Sequence, residues 1–178
     1  MTPAATCSAA RTLDPESLGD HVDRLFRAAW ALSGHRQDAE DLVQETYARV
    51  LARPRLLRHD DDIGYLLRVL RNVFVSSLRT KARRPQTTAL PDGLEPIDHR
   101  AGLRPVEAVE AREVFAVIAM LPDEFRDALT AVDVAGLSYR EAATLLKTKE
   151  ATITSRLHRA RARVAAGMEP ALDGVRKR

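Results

Sequence analysis

The sequence predicts an all-α protein: two small helical domains joined by a flexible linker, the second containing a helix-turn-helix. Three observations carry this. Apolar residues recur at three- and four-residue intervals through residues 20–84 and again through 106–166. Between them, residues 85–105 hold four of the nine prolines and no helical period, the composition of a tether. Gly136 followed by Ser138-Tyr139-Arg140-Glu141 reads as a helix end and the capping box of the next helix.

Composition narrows the class. A chain of 178 residues has room for one ordinary domain or two small ones. A 60-residue domain buries only about 60% of its unfolded surface, so two such units are marginal alone and lean on a partner. The net charge of +3 favours a polyanionic partner only mildly; its distribution says more. A single cysteine, Cys7, excludes an internal disulfide framework and fits a reducing cytosol. No apolar run is long enough to span a bilayer, and residues 1–19 lack the charged start and apolar centre of a signal peptide. A cytoplasmic protein with no membrane insertion is expected. The five histidines never pair at metal-ligand spacing, and the eight glycines form no phosphate-cradling loop. No enzyme activity, cofactor or metal is therefore expected.

Taken in order, residues 1–19 read as a flexible N-terminal tail. A first helix follows from Asp20, with Val22, Leu25, Phe26, Ala29 and Leu32 as its apolar set and Ser33-Gly34 as its stop. In the second, Leu42, Val43, Thr46, Val50 and Leu51 face a core while Asp38, Asp41, Gln44 and Glu45 project elsewhere. The helix dipole accounts for acids in the first turns but not for an acidic side that continues to Glu45. Pro54 breaks this helix. A third begins near Asp60-Asp61-Asp62 and carries Ile63, Leu66, Leu67, Leu70, Phe74 and Leu78. From Arg68 to Arg84 it holds six cations (Arg68, Arg71, Arg79, Lys81, Arg83, Arg84) and no acid, with Tyr65, Asn72 and Phe74 nearby. Cations interleaved with rings and an amide suit separated DNA strands. A plain solvated face explains the same run equally well.

The tether of residues 85–105 reaches roughly 65–70 Å when extended. Beyond it, Val106, Val109, Val114, Val117, Ile118 and Leu121 mark one helix, and Pro122-Asp123-Glu124 opens another with Phe125, Ala128, Leu129 and Val132. The short helix after Ser138 buries Ala142, Leu145 and Leu146. After a turn over residues 147–151, Ile153, Leu157, Ala160 and Val164 form an apolar stripe. Arg156, Arg159 and Arg163 form a second stripe, with Thr154, Ser155 and His158 beside it. Such a helix, presented by a short helix and tight turn, suits a DNA major groove. Residues 167–178 read as a short basic tail.

Taken together, these segments resemble a bacterial sigma factor of the extracytoplasmic-function (ECF) group. The resemblance covers residues 20–84 and 106–166. It rests on Asp38-Ala39-Glu40-Asp41-Leu42-Val43-Gln44-Glu45-Thr46, on Tyr65 to Asn72, on Leu121-Pro122-Asp123-Glu124-Phe125-Arg126, on Gly136 to Tyr139 and on Ser155 to Arg161. It implies that Asp38, Asp41, Leu42, Gln44 and Glu45 dock on core RNA polymerase. It also implies that Asp62, Ile63, Tyr65, Arg68, Arg71, Asn72, Arg79, Lys81, Arg83 and Arg84 read and melt the minus-ten element of promoter DNA. Asn72 matches a position that holds a flipped base, and unstacking that base costs a few kcal/mol. Ser138, Tyr139, Arg140, Thr152, Thr154, Ser155, Arg156, His158, Arg159 and Arg163 would read the minus-thirty-five element. An anti-sigma factor is the further partner the resemblance implies. The chain departs from the family at Tyr65, where tryptophan is usual, and at Asp62-Ile63, where an aromatic often stands. It departs again at Lys149-Glu150-Ala151, usually proline-x-glycine, and at Thr154, where arginine is common. A stand-alone helix-turn-helix regulator is the alternative, and it would need neither the acidic helix nor the long tether.

Overall fold

In the computed structural model the structure describes residues 11–53, 56–57, 62–83 and 105–176. Cys7, Pro54, Asp60, Asp61, Arg84 and the tether to residue 104 lie outside the described residues, as do the side chains of Val106 and Val109. The chain begins with a two-residue strand, β1 (Arg11–Thr12), and a 3-10 turn (Glu16–His21). Strand β1 pairs antiparallel with β2 (Leu56–Leu57), Arg11 opposite Leu57. Residues 11–19, expected as tail, are therefore partly structured. Leu18 is buried, and its carbonyl accepts from the Tyr47 hydroxyl at 3.0 Å.

Helix α1 (Val22–Ser33) stops where Gly34 takes φ +79° and donates its N–H to the Trp30 carbonyl at 2.8 Å. Only glycine adopts that conformation without strain. Residues 28–32 of α1 are buried without interruption, so the later part of this helix is covered on every side, while Asp23 and Arg27 stay exposed nearer its start. Val22, expected in the core set, is 40% exposed.

Helix α2 (Arg36–Ala52) buries Ala39, Leu42, Val43, Thr46 and Val50. Thr46 stays satisfied in the core by donating to the Leu42 carbonyl at 2.7 Å. Leu51, also expected inside, is 50% exposed. Helix α3 (Asp62–Arg83) buries Leu66, Leu67, Leu70, Val73 and Phe74, whereas Leu78 lies open at the edge of a groove.

Past the tether come α4 (Pro105–Ala119), α5 (Asp123–Leu129), a π-helical turn (Thr130–Val134), α6 (Tyr139–Leu146) and α7 (Glu150–Arg176). The expected basic tail is thus helical as far as Arg176. Ile153, Leu157 and Ala160 of α7 pack with Phe125, Ala128 and Leu129 of α5 in the buried core, and α6 completes the helix-turn-helix.

The two units share one hydrophobic core, with α1 as hub: it touches α2 and α3 on one side and α4 and the π turn on the other. The Trp30 ring lies 4.9 Å from that of Phe115 in α4 and 5.7 Å from Phe26. The physical reason is size, since a unit this small gains much of its burial by leaning on a neighbour.

Candidate functional site

Three surfaces carry the candidate residues. The first is the helix-turn-helix. Gly136 takes φ +71°, and Ser138 then caps α6. The Glu141 N–H donates to Ser138 Oγ at 3.3 Å, while the Ser138 N–H donates to Glu141 Oε2 at 2.7 Å. The expected capping box is present. The Ser138 hydroxyl also donates to Glu141 Oε2 at 2.6 Å, and this bond, followed by that from the Ser138 N–H, holds the Glu141 carboxyl below its ordinary range. Lys147 follows α6 in the left-handed region at φ 53°, and α7 starts at Glu150.

On α7, Ser155, His158 and Arg159 are exposed and lie opposite the buried Ile153, Leu157 and Ala160. Thr154 is exposed on the adjoining flank, and Thr152 is half-buried. The hydroxyls of Thr154 and Ser155 bond back to the carbonyls of Glu150 and Thr152. Ser138, Tyr139 and Arg140 are exposed at the start of α6.

The expected single stripe of Arg156, Arg159 and Arg163 divides. Arg156 pairs with Glu124 at 3.0 Å, and the Arg163 guanidinium lies 4.3 Å from the centroid of the Phe125 ring. Both lean on α5, while Arg159 points away from the core. A fourth arginine, Arg161, missed as a site residue, is held by Asp133 through two bonds of 2.7 and 2.9 Å.

The second surface runs along α3. Arg68, Asn72, Ser76, Arg79 and Arg83 are exposed and follow the 3.6-residue period, with half-buried Tyr65 at the head of the row. Sequence reasoning missed Ser76, although its spacing from Asn72 and Arg79 marks the same side. Four expected members of this set stand elsewhere. Asp62 is buried at the start of α3 and Ile63 is packed against the core, because both precede the turn at which the exposed row begins. Lys81 lies on the opposite side, 3.4 Å from Asp38. Arg71 is engaged with Asp127 of α5. Burial pushes the Asp127 carboxyl up, and the neighbouring Arg71 and Arg126 pull it back only in part.

The third surface is a groove of about 430 Å³ between α2 and α3. Leu42, Val73, Phe74 and Leu78 form its apolar floor, and Asp38, Asp41 and Glu45 its acidic rim. Leu42 itself is buried, so it offers a floor rather than a protruding contact. Gln44 is exposed beside the rim, and Glu45 is bridged to Arg49 at 2.6 Å. The far wall comes from the second unit, through Ala119 and Arg126. No described helix is long and apolar enough to cross a membrane.

The two helical units coincide with two known domains. Residues 18–84 match Sigma-70 region 2, and residues 111–164 match Sigma-70, region 4. The chain is 30% identical to the ECF RNA polymerase sigma factor SigM of Bacillus subtilis, over 82% of this chain and 89% of that protein. The chain belongs to the ECF sigma factors. It is also 33% identical to SigE of Mycolicibacterium smegmatis over 82% of its own length, although it spans only 58% of that longer relative. Among solved structures, the sigma factor RpoE of Bartonella quintana, crystallised with the anti-sigma factor NepR, superposes with a TM-score of 0.67. That likeness covers 88% of this chain and 98% of RpoE at 24% identity, and it supports the all-α fold. The family makes this chain a sigma factor for promoter-directed initiation by RNA polymerase rather than a stand-alone regulator.

Proposed function

We propose that this sigma factor docks on core RNA polymerase through the α2 groove and divides promoter reading between its two units. The unit of residues 20–84 takes the polymerase and the minus-ten strand, the unit of residues 106–166 takes the minus-thirty-five duplex, and the tether spans them. The observation that carries this reading is that α2 and α3 present two surfaces of opposite character. An acid-rimmed apolar groove, suited to a basic amphipathic helix, opens on one side of α3, and a row of exposed cations, suited to a polyanion, runs along its other side. Asp38, Asp41, Gln44 and Glu45 supply the rim and Leu42 the floor. Arg68, Asn72, Arg79 and Arg83 supply the strand contacts. Ser155, His158 and Arg159 face the duplex edge from α7, with Thr154 on the flank.

The protein acts by binding alone, with no covalent chemistry of its own, and does so in the cytoplasm, where RNA polymerase works. An anti-sigma protein is the further partner. The complex of the Bartonella relative with NepR supports that reading.

Run-off transcription on pooled genomic fragments tests the proposal. With core polymerase, the chain is expected to create discrete start sites sharing two spaced upstream motifs. The double substitution Asp41→Arg with Glu45→Arg is expected to abolish those starts and polymerase binding together. Starts that persist with the double variant would remove the groove from the docking assignment.

A further inference from the structure

One cavity belongs to none of the three surfaces. It has a volume of about 520 Å³ and lies between α4, the π turn and α7, and the first unit reaches it only through Arg27 of α1. Phe115 and Ile118 of α4, Leu129 of α5, Val134 of the π turn and Val164 of α7 wall it with apolar carbon. Ile118 and Leu129 are buried and the other three half-buried, so apolar surface converges here that no described residue covers.

The size excludes a helix as occupant. The lining runs from residue 114 to 118 on α4 and from 161 to 165 on α7, about one turn or roughly 6 Å on each. A docked amphipathic helix needs anchors over two turns, whereas a concavity of a few hundred Å³ suits a small molecule. The rim carries three charged groups, Asp133, Arg161 and Arg27. Asp133 and Arg161 hold each other through two bonds and cancel. Arg27 is exposed, and no described residue pairs with it. One forked cation therefore stands uncompensated beside an apolar hollow, a charge that a monoanion balances and a shape that a carboxylate matches. The wall at Asp133 and Val134 is built by the π turn, closed where the Ala135 N–H donates to the Thr130 carbonyl at 2.9 Å. Such turns recur at functional sites.

We propose that this cavity is a binding site for a small carboxylic acid with a compact apolar body. The body fills the space between α4 and α7, and the carboxylate takes Arg27 at the mouth. The site uses neither the docking groove nor the assigned DNA contacts, so its failure leaves those assignments untouched.

The test uses the full chain and its one tryptophan. Trp30 is buried with its ring 4.9 Å from that of Phe115, so its emission reports on that wall. Three probes that do not absorb with tryptophan share one compact body: adamantaneacetate, adamantaneethanol and adamantaneethylamine. The acid is expected to change Trp30 emission saturably and to raise the thermal midpoint. The alcohol should bind about ten-fold more weakly, and the amine more weakly still. Arg27→Gln should bring the acid down to the affinity of the alcohol and leave the alcohol unchanged. Ala165→Phe narrows the cavity from α7 and should abolish binding of both. Arg27 is exposed, so Arg27→Gln keeps the test open where Ala165→Phe does not fold. No saturable change with any probe overturns the site. An acid that binds no better than the alcohol, or that keeps its advantage in Arg27→Gln, overturns the carboxylate assignment. Binding that survives in a folded Ala165→Phe lies elsewhere and overturns the placement.

Discussion

Helices α3 and α7 are both arginine-rich, yet they hold their cations in opposite ways. On α7, Arg156, Arg161 and Arg163 are tied to Glu124, Asp133 and Phe125, all in the α5–π segment. On α3, no carboxylate among the described residues pairs with Arg68, Arg79 or Arg83. The difference follows from what stands beside each helix. Helix α7 lies against an acidic partner in α5 and the π turn, whereas the open side of α3 faces no other described element.

Two kinds of recognition follow. A tethered arginine is already ordered, so α7 is held in a fixed attitude and loses less freedom on binding. On the proposed assignment it leaves the exposed Ser155, His158 and Arg159 to meet base edges. An untethered row meets a polyanion of any sequence and trades its counterions for phosphates.

The comparison can be broken most severely at its scaffold. Ile153 is fully buried under α7, and Ile153→Ala is expected to cost about 2–5 kcal/mol in chemical denaturation. Because the units share a core, the loss should appear as one shifted transition. Two separate transitions, with only one of them shifted, would show that the units fold independently.

A smaller effect separates the readers. Arg159→Ala should cost about 1–3 kcal/mol on the cognate minus-thirty-five duplex and little on a scrambled one. Arg79→Ala should instead weaken single-strand binding for every sequence and lower the slope of log affinity against log salt by about 0.7. Equal losses on cognate and scrambled duplex would make Arg159 a phosphate contact and erase the distinction drawn here.

Next in size is the cap that aims the second helix. Ser138→Ala is expected to cost about 1 kcal/mol, read from the denaturation midpoint.

The smallest expected effect is the pH dependence of the same cap. Glu141 is held below its ordinary range, so its contribution is present above the unfolded glutamate range and is lost as pH falls through the folded value. A stability curve that falls on acidification less steeply in Ser138→Ala than in the parent would establish this. Parallel curves would remove the Ser138 bonds as the cause.

Much of this was legible in the residues. The stops at Gly34 and Gly136 and the box at Ser138 and Glu141 stand where local chemistry puts them, because each depends on neighbours within a turn or two. The arginine stripe of α7 and the cation run of α3 were also legible. Their fates were not, since Arg156 and Arg159 look alike in sequence and differ only in whether Glu124 stands opposite. Leu51 and Leu78 kept the helical period of core residues and lie exposed, because period marks a side of a helix and not whether another element covers it.

The sequence by itself determined the helices, their caps, the two-unit order and the family, since period, capping and motif spacing act over short distances along the chain. Only the tertiary structure decided that the units close on each other and which cations remain free. Arg24 and Ala135 are 111 residues apart, and Arg71 and Asp127 are 56 apart. No local rule selects such partners. They meet because two small units, each short of burial, bury α1 between them.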